Sequence, residues 1–585
     1  MHEFTVWAPN AKKLSVKVED VSYPMSSAGD RGPDRGWWRA VVNRAGPGVD
    51  YAFLVDDDPT PYPDPRSLWQ PEGVHGPSRL YDHKDFAWSD ARWQPHPLAS
   101  AIIYELHVGT FTADSTLAAA VARLDYLADL GITHVELMPV AEFPGNHGWG
   151  YDGVTLFAVK QSYGGPDGLK RFVDAAHQRG LAVFLDVVYN HFGPVGNYTG
   201  RFAPYVTGNH RTPWGDAVNF EGPGSDQVRR FFCYNALMWM RDYHMDGLRL
   251  DAIHEFVDRS AVHFLEQLSM ETEALSAELG RPLVLIAESD LNNPRIVTPR
   301  EAHGYGIDAQ WSDDFHHSLF TVLHPHECGG YYQDFGALEQ LAKSLARVFV
   351  YDGAYSLYRG RNQGRPVEGL SAHRFLGYIQ NHDQVGNRAT GDRVEQIVGM
   401  ERAKVAAAIV LTAPFVPMIF QGEEFAASTP FQYFADHDDP AMAKSVSEGR
   451  RREFAAFGWD PARIPDPEKH ETFERSKLNW NETGETAHAA ILDWYRRLIH
   501  LRRTSRSLND GDLRNIHVSF DEDRRWLTLH RGVVNVLCNL GADTVELPNP
   551  DRFPLILRSR EDVQISQAEV VLPPDSVAIL SGEIC

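Results

Sequence analysis

Charged residues stand inside or directly after several short apolar runs of this chain. Arg249 lies within the run Gly247-Leu248-Arg249-Leu250, which is typical of a short buried strand, and Asp251 follows where that strand should end. Burying a charged pair is costly unless the two groups pair with each other or with a substrate. The pair is therefore either a structural ion pair or a catalytic pair at the carboxyl end of a barrel strand.

Three further apolar runs, residues 181–185, 283–287 and 376–379, also lead into polar residues. The polar groups at these ends are Asp186 with Asn190 and His191, Glu288, and His382 with Asp383. Gathering so many charges at successive strand ends is costly without a function. The set favours a functional site over independent structural ion pairs.

The residue types allow two kinds of chemistry. Aspartate and histidine bind metals, but Arg249 stands two residues from Asp251 and would repel a cation, so we expect no metal and no cofactor. A glycosidase needs one carboxylate nucleophile and one protonated carboxyl group beside an oxocarbenium-like transition state, which suits the set better. Four aromatic residues near the rim offer either faces for sugar rings or core packing: Trp149, Tyr151, Trp214 and Trp311.

The segment that must position these groups alternates short apolar runs with amphipathic helices, as repeated β-α units do. Apolar residues recur at helical spacing from Leu117 to Leu130, and Gly131 is expected to end that helix. Eight strands are predicted, at residues 102–106, 134–138, 181–185, 247–250, 283–287, 307–311, 376–379 and 416–420. Continuous apolar runs are typical of parallel strands buried on both faces. We predict an α/β fold, a (β/α)8 TIM barrel over residues 89–508, with an insertion at about 192–219 after the third strand.

Both flanks of the barrel are predicted to be β domains. Alternating strands near residues 4–7, 14–18, 37–42 and 51–55 indicate an N-terminal β-sandwich over residues 1–88. Short strands return near 526–529, 533–540, 570–572 and 577–580, which indicates a small C-terminal all-β domain over residues 509–585.

Composition restricts the partners. The chain has 585 residues, 56 Lys plus Arg against 79 Asp plus Glu, and a net charge of −23, which disfavours nucleic acid and anionic membranes. Cys233, Cys328, Cys538 and Cys585 are scattered without a metal-binding spacing, as in reduced proteins. No signal-peptide pattern and no apolar run of bilayer length is visible, so a soluble, cytoplasmic protein is expected.

Four of these stretches resemble the signature regions of the α-amylase superfamily, in the family's order: residues 186–191, 247–251, 287–288 and 381–383. The resemblance implies that Asp251 is the nucleophile, Glu288 the general acid/base and Asp383 a third carboxylate that grips sugar hydroxyls. Arg249 would hold Asp251 ionised and oriented. Asp186, His191 and His382 would line the subsite of the glucose being cleaved, and Tyr151 would stack on it. The implied mechanism is retaining, through a covalent glycosyl-enzyme.

The residues beyond the nucleophile distinguish branches of the superfamily. A typical α-amylase has a Lys-His pair there, whereas this chain has His254 and Glu255. Further stretches resemble the trehalose-releasing branch: residues 287–292, 311–317, 380–388, 421–425, 431–437 and 449–454. The resemblance implies malto-oligosyltrehalose as substrate, trehalose and maltodextrin as products, and substrate contacts from His254, Glu255, Asp290, Asp313, His316 and Gln384.

Two other functions stay open at this point. A glycogen branching enzyme would form the same intermediate and pass it to a sugar hydroxyl instead of water. A non-catalytic glucan-binding protein on the same fold would be expected to lose one of Asp251, Glu288 or Asp383, and all three are present.

The acid role carries an electrostatic expectation. A general acid must be protonated when the leaving sugar departs, so the pKa of Glu288 should be raised by nearby Asp251 and by partial burial.

Overall fold

The structure is a computed structural model that describes residues 1–29, 32–325, 329–456 and 459–583. Cys233 and Cys538 are buried and free, whereas Cys328 and Cys585 lie outside the described residues. Within the described chain, no helix is long and apolar enough to span a bilayer.

The N-terminal segment forms two antiparallel sheets, with strand orders β1-β5-β4 and β3-β2-β6-β7. Their strands are β1 (His2–Trp7), β2 (Leu14–Val18), β3 (Val21–Pro24), β4 (Ser26–Ser27), β5 (Trp37–Val42), β6 (Asp50–Val55) and β7 (Ser78–Arg79). Inward residues such as Phe4, Val16 and Phe53 are buried, while alternate positions face solvent. The four strands predicted for this region are confirmed.

The middle of the chain contributes the strands β8 (Ile103–Leu106), β9 (His134–Leu137), β10 (Ala141–Glu142), β11 (Thr155–Val159), β12 (Ala182–Val187), β13 (Val206–Thr212), β14 (Gly215–Val218), β15 (Gly247–Leu250), β16 (Val284–Ala287), β17 (Ala309–Trp311), β18 (Tyr355–Ser356), β19 (Arg361–Asn362), β20 (Phe375–Gly377) and β21 (Val416–Phe420). Eight of them close into a parallel barrel in the order β8-β9-β12-β15-β16-β17-β20-β21. The predicted (β/α)8 barrel is confirmed, strand by strand.

The helices of the chain are α1 (Val108–Phe111), α2 (Leu117–Val121), α3 (Leu124–Leu130), α4 (Gly165–His177), α5 (Thr199–Phe202), α6 (Ser225–Asp242), α7 (Phe264–Leu279), α8 (Asp313–Leu323), α9 (Leu338–Arg347), α10 (His382–Gly386), α11 (Val394–Val398), α12 (Met400–Thr412), α13 (Pro440–Ala456), α14 (His470–Arg475) and α15 (Thr486–Thr504). The stripe from Leu117 to Leu130 was expected to be one helix but is two, α2 and α3. Gly131 ends the second in the left-handed conformation, with φ 100°.

The barrel interior is apolar at its base and charged at its rim. Phe184, Ile286, Leu376 and Met418 belong to one buried cluster inside the barrel. Because all eight strands are parallel, the residues at their carboxyl ends meet at one rim. The predicted insertion after the third barrel strand contains α5 and the hairpin β13–β14.

The C-terminal segment forms a five-stranded sheet, β22-β23-β24-β29-β26, and a three-stranded sheet, β25-β28-β27. The strands are β22 (Ile516–Asp521), β23 (Trp526–Arg531), β24 (Val534–Asn539), β25 (Val545–Pro548), β26 (Leu555–Arg558), β27 (Gln564–Ile565), β28 (Glu569–Leu572) and β29 (Ser576–Ser581). The expected C-terminal β structure is confirmed; the boundaries 1–88, 89–508 and 509–585 are the division that we propose.

Not every charged strand end reaches the rim. Glu423 and Glu424, three and four residues after β21, are fully buried, and Glu395 of α11 is also buried. Tyr495 donates a hydrogen bond to Glu423 (2.8 Å), Tyr126 donates one to Glu424 (2.9 Å), and Gln380 donates to Glu395. Burial raises the pKa of Glu395 and of Glu424 to about 7. These glutamates form a buried acidic cluster behind the barrel strands.

We expect Glu395→Gln to stabilise the protein at alkaline pH more than at acidic pH. The folded state holds the Glu395 proton more tightly than the unfolded state, so stability falls as pH rises from about 4.5 to about 7. The full effect of that pKa difference is about 3 kcal/mol. The melting-temperature gain of Glu395→Gln should therefore grow between pH 5 and pH 8, whereas that of exposed Glu471→Gln should not. A gain independent of pH would contradict the assignment.

Candidate active site

The guanidinium of Arg249 lies at the centre of the rim. Strand register pairs Arg249 with Asp186 on the neighbouring strand, and Nη1 donates to Asp186 Oδ2 (2.7 Å) and to Asp251 Oδ1 (2.9 Å). Nη2 lies 2.7 Å from Glu288 Oε2. Arg249 is fully buried, so one cation holds three carboxylates at the ends of three adjacent strands.

The backbone after Asp251 adds a second contact to Glu288. Ala252 adopts a left-handed conformation, with φ 38°, which is uncommon for a residue with a side chain and occurs often at functional sites. Its N–H donates to Glu288 Oε2 at 2.7 Å. Glu288 N–H in turn donates to Leu250 O at 3.0 Å. The ends of β15 and β16 thus fix the carboxyl groups of Asp251 and Glu288 relative to each other.

A hydrogen-bonded chain connects a buried glutamate to the same centre. Glu105 accepts from the backbone N–H of His382 (2.9 Å) and from its Nδ1 (2.5 Å). His382 Nε2 lies 2.7 Å from the hydroxyl of Tyr151, which donates to Asp186 Oδ2 at 2.6 Å. Burial opposes the charge on His382, but Glu105 and then Asp383 outweigh it and raise its pKa to about 9. His382 is therefore an imidazolium at neutral pH.

These groups open into a cavity of about 480 Å3, within the usual ~300–1,000 Å3 of small-molecule sites. Its lining comprises Trp149, Tyr151, Asp152, His191, Trp214, Asp251, Ala252, His254, Glu288, His382, Asp383, Asn387, Tyr433, Val446, Arg450 and Glu453. The lining combines flat aromatic faces with carboxylates and other hydrogen-bonding groups, which is the chemistry that a sugar ring requires.

Two insertions build the walls of this cavity. Trp214, in the turn between β13 and β14, stacks on His191 with ring centroids 4.9 Å apart and planes at 11°. On α13, Arg450 donates to Gly386 O at 2.6 Å and lies 5.3 Å from the ring centroid of Tyr433. Gly386 must be glycine because a Cβ there would lie 2.0 Å from the Trp149 ring.

The titration of the two central carboxyl groups differs from the expectation. Burial and then the charge of Glu288 raise the pKa of Asp251 well above its ordinary value. Burial also acts on Glu288, but Arg249 and the Ala252 N–H outweigh it and lower its pKa. The expected raised pKa of Glu288 is wrong, because Arg249 and the Ala252 N–H both stabilise the Glu288 carboxylate. Arg249 also favours the charged form of Asp251, as expected, but burial and the charge of Glu288 outweigh its effect on the pKa of that group.

The structure brings most predicted site residues together. Asp251, Glu288, Asp383, Tyr151, His191, His254 and His382 line the cavity. Asp186 and Arg249 lie beneath the lining and contact it through Tyr151 and Asp251. Their catalytic and binding roles stay predictions.

Five predicted binding residues do not line the cavity: Glu255, Asp290, Asp313, His316 and Gln384. Glu255 is half-buried, and Asp290 pairs with Arg359 at 2.7 Å.

The other three of these residues make contacts with tyrosines. Asp313 accepts from Tyr378 OH at 2.5 Å, and burial raises its pKa to about 8. His316 Nε2 and Gln384 Oε1 both contact the hydroxyl of Tyr332.

Of the two alternatives for Trp311, a sugar-stacking face or core packing, the structure favours core packing. Its side chain is 1% exposed and lies inside the barrel. The guanidinium of Arg249 covers its ring, with Cζ 4.2 Å from the centroid. Trp311 therefore supports Arg249 through a cation–π contact and does not reach the cavity.

Several cavity or supporting residues were missed: Glu105, Asp152, Asn387, Tyr433, Arg450 and Glu453. Glu105 carried the same signal as Arg249, a charge within an apolar strand. The others lie on segments outside the barrel strands. Asn387, Tyr433, Arg450 and Glu453 stand in stretches that resemble the trehalose-releasing branch, but that resemblance was not used to assign them to the site. Among the described residues, no group of three or more His, Cys, Asp or Glu side chains is arranged to hold a metal ion; absence of a metal stays a prediction.

Two family models match parts of the chain. Residues 102–204 match the alpha amylase catalytic domain, and residues 511–579 match a domain of unknown function, DUF3459. These matches cover the first part of the barrel and most of the C-terminal sheets.

Full-length relatives decide the family. The chain is 49% identical to a malto-oligosyltrehalose trehalohydrolase of Rhizobium sp. (strain M-11), over 99% of this chain and 97% of that protein. It is 42% identical to the protein of the same name from Saccharolobus solfataricus, over 90% and 88% of the two chains. The chain belongs to the malto-oligosyltrehalose trehalohydrolase family. Membership of the predicted trehalose-releasing branch of the α-amylase superfamily is confirmed. The prediction that the chain is a glycoside hydrolase is confirmed as well.

The chain is also similar, to different extents, to three other proteins. A 1,4-alpha-glucan branching enzyme of Pseudoalteromonas atlantica is 33% identical but matches only 43% of this chain and 37% of its own length. A crystal structure of a putative alpha amylase from Salmonella typhimurium superposes with a TM-score of 0.90 at 36% identity, over 99% and 97% of the chains. A streptococcal pullulanase in complex with maltotetraose, 16% identical with a TM-score of 0.76 over 100% of this chain and 86% of that one, shares the fold.

For this trehalohydrolase-family chain we expect Glu288→Gln to lower the pKa of Asp251, because the charge of Glu288 contributes to raising it. With maltosyl fluoride, whose leaving group needs no proton, kcat/KM depends on the ionised Asp251, so its acid limb should move to lower pH. The measurement is kcat/KM against pH.

Glu453→Gln is the matched control, since it removes a cavity carboxylate that makes no contact with Arg249, and its acid limb should stay in place. An acid limb that Glu288→Gln leaves unmoved would contradict the coupling of the two carboxyl groups.

Proposed function

We propose that this chain hydrolyses the α-1,4-glucosidic bond next to the terminal trehalose unit of malto-oligosyltrehalose, releasing trehalose and a maltodextrin. The observation that carries the chemistry is that Asp251 and Glu288 share the guanidinium of Arg249 at the floor of the cavity. The substrate follows from the relatives' name and their near-complete coverage of this chain.

In the first step, an Asp251 carboxylate oxygen attacks the anomeric carbon of the cleaved glucose. The bond from that carbon to the leaving oxygen breaks, and the carboxyl proton of Glu288 passes to this oxygen. Trehalose stands at the end of the chain whose O4 forms the bond, so trehalose is the leaving group. The maltodextrin stays bound as an ester of Asp251.

In the second step, Glu288, now a carboxylate, takes a proton from water, and the water oxygen attacks the same carbon. The ester breaks and the configuration is retained after two inversions. The two carboxyl groups titrate as a pair, and the reactive form has one proton on Glu288 and the charge on Asp251. Arg249 contacts both groups, so it stabilises the negative charge on either one.

The remaining residues of the site have proposed binding roles. Tyr151, held by Asp186 and stacked on His382 with ring centroids 5.0 Å apart, presents an aromatic face to the cleaved glucose. Asp383, beside the imidazolium of His382 at 3.6 Å, accepts hydrogen bonds from sugar hydroxyls. Cytoplasmic location is part of the same proposal.

The test is incubation with maltotriosyltrehalose and identification of the sugars released. Trehalose and maltotriose should appear in equal amounts, and each cleavage should create one reducing end, since the substrate has none. Asp251→Asn, which keeps the shape of the side chain but cannot form the ester, should lower the rate by several orders of magnitude.

Other products would contradict the proposal in distinct ways. New α-1,6 branch points on amylose without trehalose release would indicate a branching enzyme. No change in either substrate, with both still bound, would indicate a binding protein.

A further inference from the structure

A second large cavity lies at the junction of the N-terminal sheet and the outer face of helix α6. Its volume is about 530 Å3, against about 480 Å3 for the catalytic cavity, and the two have no lining residue in common. One wall comes from β1 and β5, through Thr5 and Trp38, and the other from α6, through Gln227 and Leu237. The proposed reaction does not use this cavity.

Aromatic rings from both walls face this junction cavity. Trp37 and Trp38 of β5 line it together with Tyr234 of α6, whose side chain is 45% exposed. The guanidinium of Arg66 lies between two of them, with Cζ 5.1 Å from the Trp37 ring centroid and 5.6 Å from that of Tyr234. The Trp37 ring is itself held by a hydrogen bond from Nε1 to Gln227 Oε1 (3.2 Å). The cavity is therefore lined by aromatic rings that neighbouring groups hold in place, and the Arg66 guanidinium covers one face of Trp37 and of Tyr234.

Among the described residues, the charges that line the junction cavity balance. Its lining includes Arg39, Arg66 and Arg230 against Glu3, Asp34 and Glu271. Within the described parts of the chain, none of these three guanidinium groups forms an ion pair with any of these three carboxylates. An anion such as phosphate would meet three carboxylates there, and a cation would meet three guanidinium groups. A neutral ligand rich in hydroxyl groups can donate to the carboxylates and accept from the guanidinium groups.

We propose that the junction cavity is a second glucan-binding site, which holds a short stretch of neutral α-glucan apart from the catalytic cavity. The choice of α-glucan over other neutral sugars rests on the proposed function. Aromatic rings stack on the apolar faces of glucose units, and the balanced charges pair with their hydroxyl groups. A chain held there stays attached to the protein, which raises the effective concentration of its free end at the protein surface.

The test measures binding without turnover, in the full chain carrying Asp251→Asn. Titration calorimetry with maltoheptaose should resolve two classes of site. Adding Tyr234→Ala should weaken one class by about tenfold, as is common when a central aromatic contact is truncated, and leave the other unchanged. Phe520→Ala, which truncates an exposed aromatic on the C-terminal sheet, is the matched control and should change neither class.

A second variant distinguishes loss of the binding site from a folding defect of Tyr234→Ala. Arg230→Ala removes an exposed cavity residue on the same helix and should weaken the same class as Tyr234→Ala. A single class of site, or two classes that neither variant affects, would overturn the proposal.

The failure of the proposed function would look different. Maltotriosyltrehalose would then release no trehalose from the parent chain, while the class of maltoheptaose site sensitive to Tyr234→Ala would persist.

Discussion

The active site depends on one buried cation that holds three carboxylates. Arg249 is fully buried, lies on the Trp311 ring and contacts Asp186, Asp251 and Glu288. Removing it would leave several uncompensated negative charges in the barrel, which is far more costly than the loss of an exposed ion pair. Such an arrangement is an inefficient way to stabilise a fold. Its value is that it sets the positions and the proton affinities of the proposed nucleophile, Asp251, and of the proposed general acid/base, Glu288.

The rest of the rim extends this electrostatic arrangement. Glu105 keeps His382 charged, and His382 contacts Tyr151, which in turn donates to Asp186. The positive charge on His382 thus depends on Glu105, a residue of the first barrel strand that no substrate needs to touch. The hairpin carrying Trp214 and the helix carrying Arg450 then enclose these groups. The barrel supplies the reacting groups and the insertions supply the shape of the cavity.

The barrel was predictable because its strands are apolar runs in which the few charged residues belong to the site. All eight barrel strands were predicted because a parallel strand buried on both faces is a continuous apolar run, whereas a half-exposed strand alternates apolar and polar residues. The same reasoning found Asp251 and Glu288. It did not place Arg450 or Glu453, although their stretch resembles the trehalose-releasing branch, because α13 reaches the cavity from a segment after the last barrel strand.

Two outcomes have a common physical cause. Trp311, for which a sugar-stacking face and core packing were both open, is core beneath Arg249, and Glu288, expected to have a raised pKa, has a lowered one. Both outcomes follow from the direction in which the Arg249 side chain points, inward over the barrel interior and between the two carboxyl groups. A sequence can indicate that a charged residue is buried, but it does not show which neighbouring groups form ion pairs or hydrogen bonds with it.

The central claim is that Asp251 forms a covalent bond with the sugar. A 5-fluoro-maltosyl fluoride slows the second step, so the ester should accumulate and remain through digestion with an acid-active protease. Peptide mass spectrometry should then locate one glycosyl group on Asp251. A label on Glu288 or Asp383, or fluoride release with no labelled peptide, would contradict the account.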